Sequence, residues 1–194
     1  MISLLALSTG AVIGLVVLLL VVGLVLFAIA QYNGLIRLNN HVSEAFAQIE
    51  VQLRRRSDLI PNLVETVKGY ASHEKETLER VIAARAASTA AQGVHDVAAA
   101  DGMLTQALRG LLAVSEAYPD LKASANFSQL QEELAGTENK VAFARQYYND
   151  SVRSLNTTVQ GIPGQWFAGW AKVSAREFYE IDDPGARQAP KVQF

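Results

Sequence analysis

Cysteine is absent from the 194 residues. That excludes a disulfide framework, a thiolate zinc site and a lipid-bearing cysteine. Charge is missing from one end: no Asp, Glu, Lys or Arg precedes Arg37. An excess of one sign is missing too, since 17 basic residues face 19 acidic ones and the net charge is -2, which argues against a strongly basic nucleic-acid binder. β-Branched alternation bounded by turns is not found, while Ala, Leu, Gln, Glu and Arg dominate the middle of the chain, as helices prefer. The three histidines, His41, His73 and His95, lie far apart. There is no Gly-rich phosphate loop, no G-x-S-x-G and no H-E-x-x-H.

The charge-free stretch has a positive meaning. Ala11 to Ala30 is Ala, Val, Ile, Leu, Phe and Gly, and about 20 such residues cover a hydrocarbon core of ~30 Å. It reads as an uncleaved membrane span. Ala28-Ile29-Ala30 offers a signal-peptidase-like pattern, but a basic n-region is missing and the apolar run exceeds the usual ~7–15 residues. Arg37, and further out Arg54, Arg55 and Arg56, tilt the remainder towards the cytoplasm. Within the span, Gly10 and Gly14 form a small-xxx-small pair that allows close helix contact.

The helical pattern is expected to pause at Tyr32-Asn33-Gly34 and then to resume with a seven-residue repeat. Val42, Ile49, Arg56 and Leu63 form one row; Phe46, Leu53, Ile60 and Val67 form the other. These are the a and d positions of a coiled-coil or bundle seam. The repeat keeps phase across Pro61, which predicts a kink, not a stop. A turn is expected at Gly69–Ser72, with Ser72 capping a second helix from about His73 to Gln92 that Gly93 ends. A third helix is expected from about Asp96 to Tyr118, its start blurred by Asp101-Gly102. The fourth opens on an Asn126/Gln129 capping pair. It carries Phe127, Leu134, Val141, Tyr148 and Leu155 in one row and Leu130, Thr137, Ala144, Ser151 and Thr158 in the other, and ends at Gly161–Gly164. The fold expected is all-α: a transmembrane helix, an elongated antiparallel four-helix bundle with long first and fourth helices, and a short C-terminal amphipathic segment. The domains are an anchor at 1–31, the bundle at 32–160, and an aromatic segment with an extended tail at 161–194.

Both tryptophans sit in that last part, where Trp166, Phe167, Trp170 and Lys172 make an amphipathic, basic segment suited to the membrane interface. The plainer alternative is a short helix that caps the bundle by burying both indoles. Arg56 on the seam is expected to pair with Glu132, Glu133 or Glu138 of the facing helix as a register device, alongside Pro61, Phe46 and Tyr148 as structural seam residues. His41 and Glu44 lie one turn apart but lack the second Glu-x-x-His pair and the further carboxylates that a dimetal bundle needs. Ser72-His73-Glu74-Lys75-Glu76-Thr77-Leu78 has the outline of a kinase phosphoacceptor box, without its proline and without a nucleotide-binding domain. No catalytic, metal or cofactor site is assigned.

Six stretches carry a family resemblance. They are Tyr32–Leu35, Glu44–Arg56 with Asp58–Tyr70, and Leu112–Ala123 with Thr137–Lys140 and Ala144–Asn149. Together they closely resemble the LemA family of bacterial membrane proteins, and Ala189–Phe194 resembles the family ending. The resemblance implies a one-span anchor, a four-helix bundle and no established catalytic activity. Some relatives look like lipoproteins with a Cys before the Tyr-Asn pair; Ala30 and Gln31 stand there in this chain. The resemblance also makes a membrane-protease partner thinkable. The functional expectation is a non-enzymatic, self-assembling scaffold of the bacterial inner membrane, involved in membrane organisation or envelope stress signalling, with the bilayer, further copies of itself and a membrane protein as partners and no nucleic acid. Its alternatives are a phosphorelay through His73 and an accessory factor of a membrane protease.

Overall fold

The computed structural model describes residues 9–180. Among them there are helices and no strands: α1 (Thr9–Tyr70), α2 (Lys75–Ala90), α3 (Gly93–Val114), α4 (Pro119–Lys122), α5 (Ala125–Gln160) and α6 (Gly164–Ala171). The fold is all-α, as the composition demanded. The extended tail expected from Asp182 to Phe194 lies outside the described residues.

α1 is one uninterrupted helix of 62 residues. The pause expected at Tyr32-Asn33-Gly34 does not occur. An isolated glycine costs a helix only about 1 kcal/mol relative to alanine, and Leu35 beside it is fully buried. Pro61 likewise lies inside α1. It is bracketed by Ile60 and Leu63, both buried, whose packing offsets the lost backbone hydrogen bond.

The helix ends correct several expectations. Ser72 does not cap α2; it lies with His73 in the turn, and Glu74 takes the N-cap position without a side-chain cap. Gly93 opens α3 rather than merely ending α2, in a left-handed conformation (φ +78) that suits glycine. α3 stops at Val114, and the Pro119-Asp120 signal begins the short α4 with proline in its first turn. α5 starts at Ala125, where the Ser124 hydroxyl accepts a hydrogen bond from Phe127 N–H at 3.5 Å. Asn126 plays no such part, and Gln129 instead donates to Glu133 at 3.2 Å. At the far end of α5 a Cβ on Gly164 would run into the Thr158 carbonyl, so the turn into α6 needs glycine there.

The chain divides into two compact units. One holds the chain up to His41 with Arg153–Arg176; the other holds Val42–Val152 with the segment from Glu177. In the second unit α1 and α5 run antiparallel. Phe46 meets Tyr148 (centroids 5.7 Å) and Arg56 meets Glu138 (3.0 Å), so ten residues forward on one helix match ten back on the other. The core of this unit is the predicted pair of heptad rows, closed by Leu78 and Val81 of α2, Leu104 and Leu111 of α3, and Leu121 of α4. Phe127, Leu134, Val141 and Tyr148 of the α5 row are buried.

In the first unit, α1 contains the stretch long and apolar enough to cross a membrane. Its mean hydropathy is 3.4 and none of it is buried. Leu35 and Leu155 form part of the packing beyond it.

Candidate functional site: an internal charge network and an aromatic platform

The seam arginine organises the larger unit. Arg56 is 3% exposed, and its Nη1 lies 2.8 Å from Asp101 Oδ1 and 3.0 Å from Glu138 Oε2. Its Nη2 donates to Thr105 Oγ1 at 2.9 Å. Arg145 Nη1 stands 3.8 Å from Asp101 Oδ2, and Arg145 Nη2 stands 3.5 Å from Glu138 Oε1. The Tyr179 hydroxyl donates to Asp101 Oδ2 at 2.9 Å, and the Arg145 guanidinium lies 5.9 Å from the centre of the Tyr179 ring. Two cations and two carboxylates thus cancel around a wholly buried Asp101.

Burial is the largest influence on Asp101. It raises the carboxyl above the ordinary carboxylate range, against the opposing pull of Arg145, Arg56 and the Tyr179 hydroxyl. The Tyr179 phenol is raised by the same desolvation, reinforced by the neighbouring carboxylate. The phenol therefore stays protonated and donates. Arg145 Nε is buried with no hydrogen-bond partner, which leaves one edge of the network unanswered.

Of the three glutamates expected opposite Arg56, Glu138 is the partner. Glu133 serves Gln129 instead, and Glu132 is exposed. Asp101 is the partner that sequence reasoning missed, although a signal existed. The α3 row Leu104, Leu108, Leu111 extends backward by helical spacing through Asp101 to Val97, so an aspartate occupies a seam position. Tyr148, expected on the seam, is buried and also donates its hydroxyl to the Glu177 carbonyl at 2.8 Å.

After α6 the chain continues without helix to Glu180, held largely by side-chain amides of α5. Asn149 clasps the backbone of Tyr179: its Nδ2 donates to the carbonyl at 3.1 Å and its Oδ1 accepts from N–H at 2.8 Å. Asn156 clasps Arg176 in the same way, at 2.9 and 2.8 Å. An asparagine side chain presents one donor and one acceptor side by side, matching an extended residue's N–H and C=O.

In the smaller unit α6 carries the predicted aromatic residues. Phe167 packs edge-on against Phe27 of α1 and against Trp170, each at 6.2 Å between centroids. Trp166 is 66% exposed and Trp170 78%. The alternative in which both indoles are buried is therefore not what the chain does. Lys172 ends α6 in a left-handed conformation (φ 52) and is exposed. His73, the phosphoacceptor candidate, is exposed in the turn between α1 and α2 and not on a helix. Among the described residues, no group of three or more His, Cys, Asp and Glu has the arrangement to hold a metal ion.

A LemA family model matches residues 45–194, most of the chain and all of the charge network. The chain belongs to the LemA family. A protein LemA of Metamycoplasma hominis is 27% identical over 73% of this chain and 65% of its own length. Magnetosome protein MamQ 2 of Paramagnetospirillum magneticum is 22% identical over 85% of this chain and 70% of its own. Magnetosome protein MamQ of Magnetospirillum gryphiswaldense is 20% identical over 71% and 60%. This LemA family chain thus spans about two thirds of the length of the curated relatives it matches. The names of the family and of these relatives specify no catalysed reaction.

Proposed function

We propose that the chain is a non-catalytic, membrane-anchored interaction module that self-assembles and organises the bacterial inner membrane. One observation carries the membrane part of this reading. In a single unit, an apolar stretch of α1 with nothing buried on it leads to Phe27, against which α6 packs while turning Trp166 and Trp170 outwards. Phe27, which seats α6 through Phe167, is three residues before Ala30, where the apolar run ends, the level at which tryptophan favours the headgroup zone. The non-catalytic part is supported by the network itself. Both its carboxylates are occupied by guanidinium groups, so neither stands ready as a base. Self-assembly is supported by an open groove of about 650 Å³ on the larger unit, where Val51, Phe143 and Tyr147 stay exposed; a further copy of the chain is the partner we assign to it. Arg37 favours a cytoplasmic bundle.

Full-length protein in phosphatidylcholine bilayers tests the reading through its two tryptophans. Quenching by bromines near the headgroup end of the acyl chains, with weak quenching by aqueous acrylamide, is the expected result. Equal access to both quenchers would sink the platform. Light scattering corrected for bound detergent should give a defined oligomer, and a monomer would remove self-assembly.

A further inference from the structure

The smaller unit contains Arg37, Arg153, Lys172 and Arg176 and no acidic residue at all: every one of the 19 carboxylates of the chain falls outside it. The rest of the chain therefore sets 13 cations against 19 acids. We infer that this unit is a binding collar for anionic phospholipid headgroups, formed by Arg37, Lys172 and Arg176 beside the end of the span. The inference rests on the membrane reading above and names the lipid class that the site selects.

The placement within the unit fits that class. Lys172 directly follows α6, whose Phe167 ring touches Phe27 near the end of the apolar run. Arg37 follows Ala30 by seven residues, about 10 Å along a helix. The polar layer of a bilayer leaflet is ~5–8 Å deep, so a long arginine side chain returning towards the membrane reaches its phosphates. Arg176 is held at the same level by Asn39, whose Oδ1 accepts from Nη2 at 3.0 Å and from Nε at 3.3 Å. That partner is neutral, so the guanidinium charge is steered without being cancelled. Arg37, Arg153, Lys172 and Arg176 are all exposed. An ordinary solvated face mixes signs, as the larger unit does. The absence of carboxylates from this unit instead matches a negatively charged surface, where each cation contributes about fivefold in affinity.

The test uses the full chain in phosphatidylcholine nanodiscs carrying a trace of spin-labelled phosphatidylglycerol or spin-labelled phosphatidylcholine, with the protein-associated fraction read by electron paramagnetic resonance. The expected result is a preference of about threefold or more for phosphatidylglycerol at low salt, shrinking as salt rises. Arg37→Gln with Lys172→Gln should bring the ratio towards one, and Arg37→Lys with Lys172→Arg should keep it. Equal association of the two lipids, or a ratio that the Gln variant leaves unchanged, overturns the collar. So does loss of the preference on adding millimolar inorganic phosphate at constant ionic strength, which would make the site a free-anion site. Tryptophan quenching in pure phosphatidylcholine reads the platform separately. Shielded indoles with no lipid preference would overturn the collar and leave the platform standing.

Discussion

In the unit that contains Arg56, two guanidiniums, two carboxylates and a phenol turn inward and answer one another. In the unit that contains Phe27, Arg37, Lys172, Arg176 and two indoles are exposed, and the unit itself contains no carboxylate. The same kinds of side chain are thus used in two ways, buried in one unit and exposed in the other. Where the surroundings are protein, a charge must find its partner within the fold, because an isolated buried ion is prohibitively costly. Where a charge is exposed, as on Arg37 and Lys172, water screens it, and on the reading proposed above a lipid headgroup can serve as its partner. The difference lies in the partner, not in the residue type.

The sharpest way to break this contrast is to remove a partner from the inward-facing set. Asp101→Leu leaves the Arg56 guanidinium buried with half of its ionic contacts gone and deprives the Tyr179 hydroxyl of its acceptor. A loss of about 3–5 kcal/mol is expected, read from urea unfolding of the full chain in mild detergent. Combining it with Arg56→Met should recover most of that loss, since an apolar replacement of a whole buried pair is close to neutral. A double variant as weak as the single would mean that Asp101 acts through packing alone.

The pH dependence probes the same carboxylate more gently. Burial raises Asp101 above the ordinary 3.8, so the folded state binds this proton more readily than the unfolded chain. The resulting contribution is complete below the unfolded value and is lost as pH rises through the folded one. Stability relative to Asp101→Asn should therefore increase as pH falls from neutral towards about 4. A relative gain in the opposite direction would show that Arg56 and Arg145 outweigh desolvation at this site.

Asn149→Ala removes both hydrogen bonds that hold the Tyr179 backbone. About 1–2 kcal/mol should be lost, with faster hydrogen exchange confined to the amides around Tyr179. If protection there is unchanged, the Tyr179 hydroxyl on Asp101 is enough to hold the segment.

The heptad rows explain how much of this could be read in advance. Val42, Ile49, Leu63 and Val67 are buried where a 3.5-residue repeat places them, because apolar periodicity reports directly on which face meets protein. Arg56 and Glu138 were legible for the same reason. Asp101 was passed over because the Asp-Gly pair that follows three alanines looks like a helix start. Only its alignment with Leu104 and Leu108 reveals a seam position. Tyr179 carried no signal: it lies in a segment without periodicity, and its role depends on the amide of Asn149, 30 residues away. The helix ends were legible least. Ser72 and Asn126 have the chemistry of caps, yet whether a cap forms depends on where neighbouring packing stops the helix.

The outward-facing unit supplies the smallest expected effect, and its smallness is what makes it informative. Trp166→Ala with Trp170→Ala removes two of the largest side chains of the protein, which inside a core would cost about 3–5 kcal/mol each. At 66% and 78% exposure the indoles make few protein contacts, so urea unfolding in detergent should change by no more than about 0.5–1 kcal/mol. The bilayer should register the change that the fold does not. With the platform gone, Phe167 and the end of α6 lose their anchors in the headgroup zone, and a single cysteine placed at Gln165 of this cysteine-free chain should become more reactive to a water-soluble maleimide. A large loss of stability instead would mean that the indoles are packed against protein, and the contrast between the two units would rest on the cations alone.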